Sequence, residues 1–204
     1  MSKKNNGKSE IILQAAKGIF AEVGYHNATI SKIAKNAGVG DGTVYLYFEN
    51  KEDILITLFH KTIYIDFVPS VKKSLEHYDD AKILLFELIL SHFKFFGADE
   101  DLARVIQIES RQSSNIIREA MKPGMVSYFR LIESIVKKGQ EQQVFRTDIS
   151  PRDCRKFIFG GLDEVVTCWI LSSKKYSLVK KVEPTYKVFS QMLSSNHSFS
   201  NFLL

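Results

Sequence analysis

Apolar positions recur every three to four residues along almost the whole chain, and no run of strict alternation bounded by turn residues suggests a strand. Ile12, Ala16, Ile19, Phe20 and Val23 share one face of a helix expected over residues 9–23, which Gly24 closes; residues 1–8 before it read as a polar basic arm. Ile30, Ile33, Ala34 and Ala37 line a second helix. Thr29 is its N-cap, because a hydroxyl there can accept from an otherwise orphan backbone N–H. Gly38 stops that helix, since a left-handed backbone costs glycine nothing, and a short third helix is expected from about Asp41 to Leu46. Asn50 caps a fourth, with Asp53 placed to reach back in a capping box. This helix carries Ile54, Leu55, Leu58, Phe59 and Ile63 towards Val68, until Pro69 interrupts it. Further helices are expected near 69–78, 80–97, 100–113, 115–121, 125–143, 151–173 and 183–195, with breaks at Gly97, Pro123-Gly124, residues 144–150 and residues 172–175.

Residues 29–48 read as a helix-turn-helix. Ala34 stands four residues before Gly38, where a small side chain lets two helices cross closely. The 41–46 helix carries the hydroxyls of Thr43 and Tyr45, the bare backbone of Gly42 and an outward Leu46, a surface suited to phosphate oxygens and thymine methyls. Thr29, Ser31, Lys32, Tyr47 and Lys51 complete the expected DNA contacts. Lys51 stands at the positive end of the fourth helix, so its replacement by alanine is expected to lower the salt slope of binding by about one unit. A short core helix in an ordinary bundle is the bland alternative, and the combined spacing disfavours it.

The expected organisation is all-α and in two parts, a DNA-binding head over residues 1–50 and a helical ligand-binding and dimerisation body over residues 51–204. With 204 residues, 45% of them hydrophobic, the chain can bury a sizeable core. Its net charge of +5 is moderate, so the placement of charge matters more. Lysines 3, 4, 8, 17, 32, 35 and 51 outweigh Glu10, Glu22, Asp41 and Glu49 in the head, which suits a phosphate-facing surface. Cys154 and Cys168 lie on one expected helix about 21 Å apart at 1.5 Å per residue, beyond disulfide reach, and are expected to be buried thiols. No apolar stretch follows the N-terminal lysines, and Ile83 to Leu90 is too short to span a bilayer, so a cytoplasmic protein with no membrane partner is expected.

Two body helices stand out. The 80–97 segment is apolar over most of its circumference and should be central. The 151–173 segment has Gly160-Gly161 in its middle, where glycine costs stability unless another backbone comes close. Both a homodimer seam and an internal helix crossing explain the pair.

The stretch from Gly38 to Leu58 resembles the DNA-binding signature of the TetR family of repressors. Gly38-Val39, then Thr43-Val44-Tyr45-Leu46-Tyr47-Phe48, then Asn50-Lys51-Glu52-Asp53-Ile54-Leu55 carry the match. Ile108-Glu109-Ser110-Arg111-Gln112-Ser113 and the run from Phe157 to Trp169 are similar to the ligand domain of TetR-type FadR repressors. That second resemblance implies control of fatty-acid degradation genes and release from palindromic DNA by long-chain acyl-CoA, with no other cofactor. The residues agree in kind. Phe93, Phe96, Ile108, Gln112, Phe129 and Trp169 are candidates to line an acyl slot, and Arg104 and Arg111, with Arg118 continuing the seven-residue spacing, could meet the phosphates of CoA. Plain core and a solvated arginine face remain the alternative for any one of them.

An enzyme is not expected. The histidines at 26, 60, 77, 92 and 197 are scattered without metal-ligand spacing, and no nucleophile motif or phosphate-cradling glycine loop is present. An acyl-CoA-processing enzyme, a DNA-bending protein and a repressor of a drug exporter are the competing readings, the last the nearest. A symmetric DNA reader implies a homodimer, joined here through the C-terminal helices.

Overall fold

The computed structural model describes residues 3–109, 115–174 and 176–195, all helix and connecting turns with no strand among them. Ten α-helices follow in order: α1 Lys3–Asn27, α2 Ile30–Asn36, α3 Asp41–Tyr45, α4 Lys51–Phe59, α5 Val68–Leu75, α6 Ala81–Gly97, α7 Glu100–Arg104, α8 Asn115–Glu141, α9 Pro151–Leu171 and α10 Val182–Leu193. Two π-helical stretches, His60–Phe67 and Val105–Glu109, and a 3-10 turn at Leu178–Lys181 lie between them.

The expected caps form. Thr29 accepts from Lys32 N–H at 3.2 Å, Asn50 from Asp53 N–H at 2.9 Å, and Gly38 takes φ +67°. Asp53 reaches back as expected, though to Glu49 N–H at 3.0 Å, one residue before the cap. Asp80 and Ser150 cap α6 and α9 in the same manner.

Several expectations need correction. The first helix begins at Lys3, inside the stretch read as an arm, and Gly24 (φ +77°) kinks it while a last turn continues to Asn27. Pro69 does not interrupt the fourth helix. It sits at the start of α5, directly after the π-helical stretch, and the chain stays helical from Lys51 to Leu75. Pro123-Gly124 is likewise no break, because α8 runs through it, with Gly124 pressed on α4's continuation so closely that an added Cβ would lie 3.0 Å from Ile63 Cγ2. Packing overrides the local preference there. Cys154 is buried as expected, but Cys168 is exposed, its thiol donating to a Glu164 oxygen at 3.2 Å.

The chain divides into two compact units. In the first, Met1–Asp66 with Asp99–Met125, α1 is the pillar. Ile12, Ala16 and Phe20 of α1, Ile33 and Ala34 of α2, Val44 of α3 and Ile54 and Leu55 of α4 are wholly buried. Two ion pairs brace α1, Lys17 with Asp99 and Glu10 with Lys61, each at 2.5 Å. In the second unit, Phe67–Ala98 with Val126–Leu204, α6 is central as expected and packs on α5, α9 and α10. The Phe67 ring lies 4.9–5.4 Å from the rings of His92, Phe95, Phe96 and Tyr128. Lys51–Leu75 has the length and composition of a membrane span, but half of its most apolar stretch is buried inside the protein, as in a core helix.

Within that aromatic cluster His92 pairs by Nδ1 with the Tyr128 hydroxyl at 2.8 Å, while its Nε2 has no partner among the described residues. Burial pushes the imidazole down to about 3, far below its ordinary 6.5. The folded state therefore refuses a proton that the unfolded chain takes up below pH 6.5, so stability is complete above that pH and is lost as pH falls towards 3. Each pH unit in this window costs roughly 1.4 kcal/mol, or about 2.7 kcal/mol from pH 6.5 to 4.5. Urea unfolding of His92→Phe at several pH values should show this part of the acid dependence gone.

Candidate nucleic-acid interface and effector recess

The α2–α3 pair presents a surface that is short of cations and rich in shape. Val44 faces the core, which turns Tyr45 (57% exposed) and Leu46 (81% exposed) outward. Gly42 is exposed and an added Cβ would meet nothing, so its use is access by a partner rather than internal packing. Thr43 and Tyr47 are half-buried. Thr29 is exposed, with its oxygen spent on the cap. The Ser31 hydroxyl donates to the Asp41 carboxylate, and Lys32 Nζ donates to Asn27 O at 3.2 Å. Lys35, not expected among the contacts, is exposed in the last turn of α2, as its place on the helix period could have indicated.

Lys51 departs from expectation. Its ammonium donates to the carbonyls of Tyr25 at 2.7 Å, Ala28 at 2.8 Å and His26 at 3.3 Å, and lies 4.5 Å from the Tyr25 ring centre. Burial holds its pKa below the usual lysine range. Lys51 is thus engaged as a clamp on the end of α1. The opposite side of the corner is held by Glu109, a buried carboxylate whose Oε2 accepts from Tyr25 N–H at 2.9 Å. Sequence reasoning missed Glu109, although an acid closing the apolar run from Val105 to Ile108 was a signal.

The expected effector residues are distributed over both units. Phe93 and Phe96 are buried in the aromatic cluster of the second unit, and Phe129 stacks edge-on with Phe159, with the Arg155 guanidinium 4.3 Å over its ring. Trp169 is tied by Nε1 to Tyr176 O at 2.8 Å. Arg104 pairs with Glu100 at 3.3 Å, and Ile108 is half-buried in the π-helical stretch. Arg111 and Gln112 lie outside the described residues. Arg118 bonds Asn115. What the first unit does offer is a shallow recess between α4 with its π-helical continuation and α8, lined by Phe59, His60, Ile63, Tyr64, Met121 and Gly124.

The clamp makes a prediction. Lys51→Met should cost about 2 kcal/mol, the scale of hydrogen bonds from a charged donor, and lower the melting temperature by roughly 4–8 °C. Because the ammonium is already committed, the salt slope of DNA binding should change by well under one unit, contrary to the sequence expectation. Thermal unfolding and binding isotherms across salt concentrations measure both.

Comparison with known proteins accounts for this architecture. Residues 12–58 match the family model of bacterial regulatory proteins of the tetR family, and residues 59–192 match the C-terminal region of YsiA-like proteins. The fatty acid metabolism regulator protein of Bacillus subtilis is 38% identical over 87% of this chain and 91% of its own. Among solved structures, the fatty acid degradation regulator FadR of Bacillus halodurans is 40% identical over 90% of this chain and 94% of its own, with a TM-score of 0.84. FadR of Bacillus subtilis, solved in complex with stearoyl-CoA, is 36% identical over 92% and 99%, with a TM-score of 0.83. Head and body each match their own model, the likeness to these regulators runs nearly end to end, and the chain therefore belongs to the TetR family of bacterial transcriptional regulators.

Proposed function

We propose that this regulator is a cytoplasmic repressor of fatty-acid degradation genes, which binds a palindromic operator as a homodimer and leaves it when a long-chain acyl-CoA occupies the body. The observation that carries the reading is the 36% identity, over 92% of the chain, to a regulator that holds stearoyl-CoA. The head over residues 1–50 reads DNA, and the body over residues 51–204 binds effector and partner. Two copies of α3 enter successive major grooves about 34 Å apart. Gly42, Thr43, Tyr45 and Leu46 make the base contacts, Thr29, Ser31, Lys32 and Tyr47 set the register, and DNA shape supplies the rest of the specificity.

The two glycines of α9 have different surroundings. A Cβ on Gly161 would lie 2.8 Å from the Phe189 ring, an internal crossing with α10, whereas Gly160 is open. Gly160 lies on an exposed stripe with Phe157 and Leu171, and Val188 is exposed on α10. This stripe supports a dimer seam through the C-terminal helices.

The recess supports the effector half of the reading. The recess as it stands has room for about one water molecule, far less than the roughly 300–1,000 Å³ of an ordinary ligand site, so an acyl tail entering there has to part α8 from the π-helical stretch. Ligand then binds the parted state better, and only such a difference in affinity moves a DNA-binding equilibrium. Arg104 and Arg111 are the proposed cations for the CoA end. Each buried methylene is worth about 0.8 kcal/mol, so lengthening an eight-carbon tail to sixteen adds up to about 6 kcal/mol.

An operator selected from random duplex DNA makes the test possible. Palmitoyl-CoA should release it at far lower concentration than octanoyl-CoA, and free CoA should leave it bound. Equal release by free CoA, or none by any of the three, would favour instead a drug-responsive repressor.

A further inference from the structure

The corner between α1 and α2 is held by charged groups from distant parts of the chain. At Gly24, with φ +77° and ψ 157°, the helical ladder of α1 is broken, which leaves Tyr25 N–H without its regular partner. Glu109, 84 residues away in sequence and only 7% exposed, fills that place at 2.9 Å. Its other oxygen lies against Gly24, where an added Cβ would sit 3.6 Å from Oε1. A carboxylate accepts more strongly than the carbonyl it replaces.

Glu109 also ends the π-helical stretch Val105–Glu109, which carries Ile108 and follows Arg104. A π turn is a rare arrangement that recurs at functional sites, and its return to α-helical spacing changes where every later side chain points. Further along α1 the Lys17–Asp99 and Glu10–Lys61 pairs hold the helix fast. Loss of the Glu109 contact would therefore be felt at the corner, which leads directly into Thr29 and α2.

We propose that Glu109 is the positioning residue of the DNA reader: its carboxylate holds the α1–α2 corner in the DNA-competent arrangement, and effector binding withdraws it. The effector half of this statement rests on the acyl-CoA reading above. The positioning half stands on the geometry alone.

The test compares full-length wild type, Glu109→Ala and Glu109→Gln for operator affinity with and without palmitoyl-CoA. Alanine should weaken ligand-free operator binding about 10- to 150-fold, the scale of a hydrogen bond to a charged group. It should shrink in the same proportion the ratio of operator Kd with palmitoyl-CoA to that without, because the ligand then has less to undo. Glutamine, whose amide oxygen still accepts from Tyr25 N–H, should restore most of both. Wild-type operator affinity in the alanine protein overturns the proposal, and so does a weakened affinity with an unchanged ratio, the mark of a merely structural cap. Should the alanine protein fail to fold, amide exchange of wild-type Tyr25 decides: protection in the operator complex that is lost with palmitoyl-CoA supports the proposal, and protection that persists after release overturns it. If palmitoyl-CoA does not release wild type at all, the effector reading fails by itself, and the ligand-free affinities with glutamine rescue still judge Glu109.

Discussion

One break in a helical ladder governs the first unit. Gly24 turns α1 out of its regular path and leaves Tyr25 N–H without its ladder partner, while the carbonyls of Tyr25, His26 and Ala28 lie at or just past the end of the helix, where no further turn supplies regular donors. Lys51 brings an ammonium to the carbonyls and Glu109 brings a carboxylate to the N–H, from opposite directions in sequence. Leaving such groups unpaired costs about 1–3 kcal/mol each, a sizeable part of the stability of any domain. The corner is therefore held by long-range charge rather than by local helix propensity, and the reading helices begin where it ends.

That arrangement suits a reader which has few cations of its own. Tyr45 and Leu46 offer area, hydroxyls and methyl contacts, while the Asp41 carboxylate, engaged by Ser31, adds no attraction for phosphate. Binding then depends on how accurately this surface is set on the duplex, and a reader of this kind loses more from a misplaced corner than one that grips the backbone with many lysines.

How much of this was legible in the sequence follows the range of the interactions. Thr29, Gly38 and Asn50 act within a few residues, and each forms the cap or turn expected of it. The central place of α6 was legible from its apolar circumference. Pro123 was misread because the packing of Gly124 on Ile63 outweighs a local breaker. Lys51 looked like a phosphate contact by its place at a helix start, and only the folded corner shows its three carbonyl partners. Glu109 stood inside a quoted motif, yet its partner 84 residues away could not be read from local pattern.

The central claim is that Lys51 and Glu109 hold one corner as a unit and thereby place the DNA reader. A double-mutant cycle on operator affinity tests it most directly, with Lys51→Met, Glu109→Ala, the double variant and wild type measured at one salt concentration. If the corner is a unit, breaking it twice costs little more than breaking it once, and the double variant should bind within about threefold of the weaker single, a coupling of at least about 0.5 kcal/mol. Losses that multiply would mean that the two residues act independently, and would contradict the account.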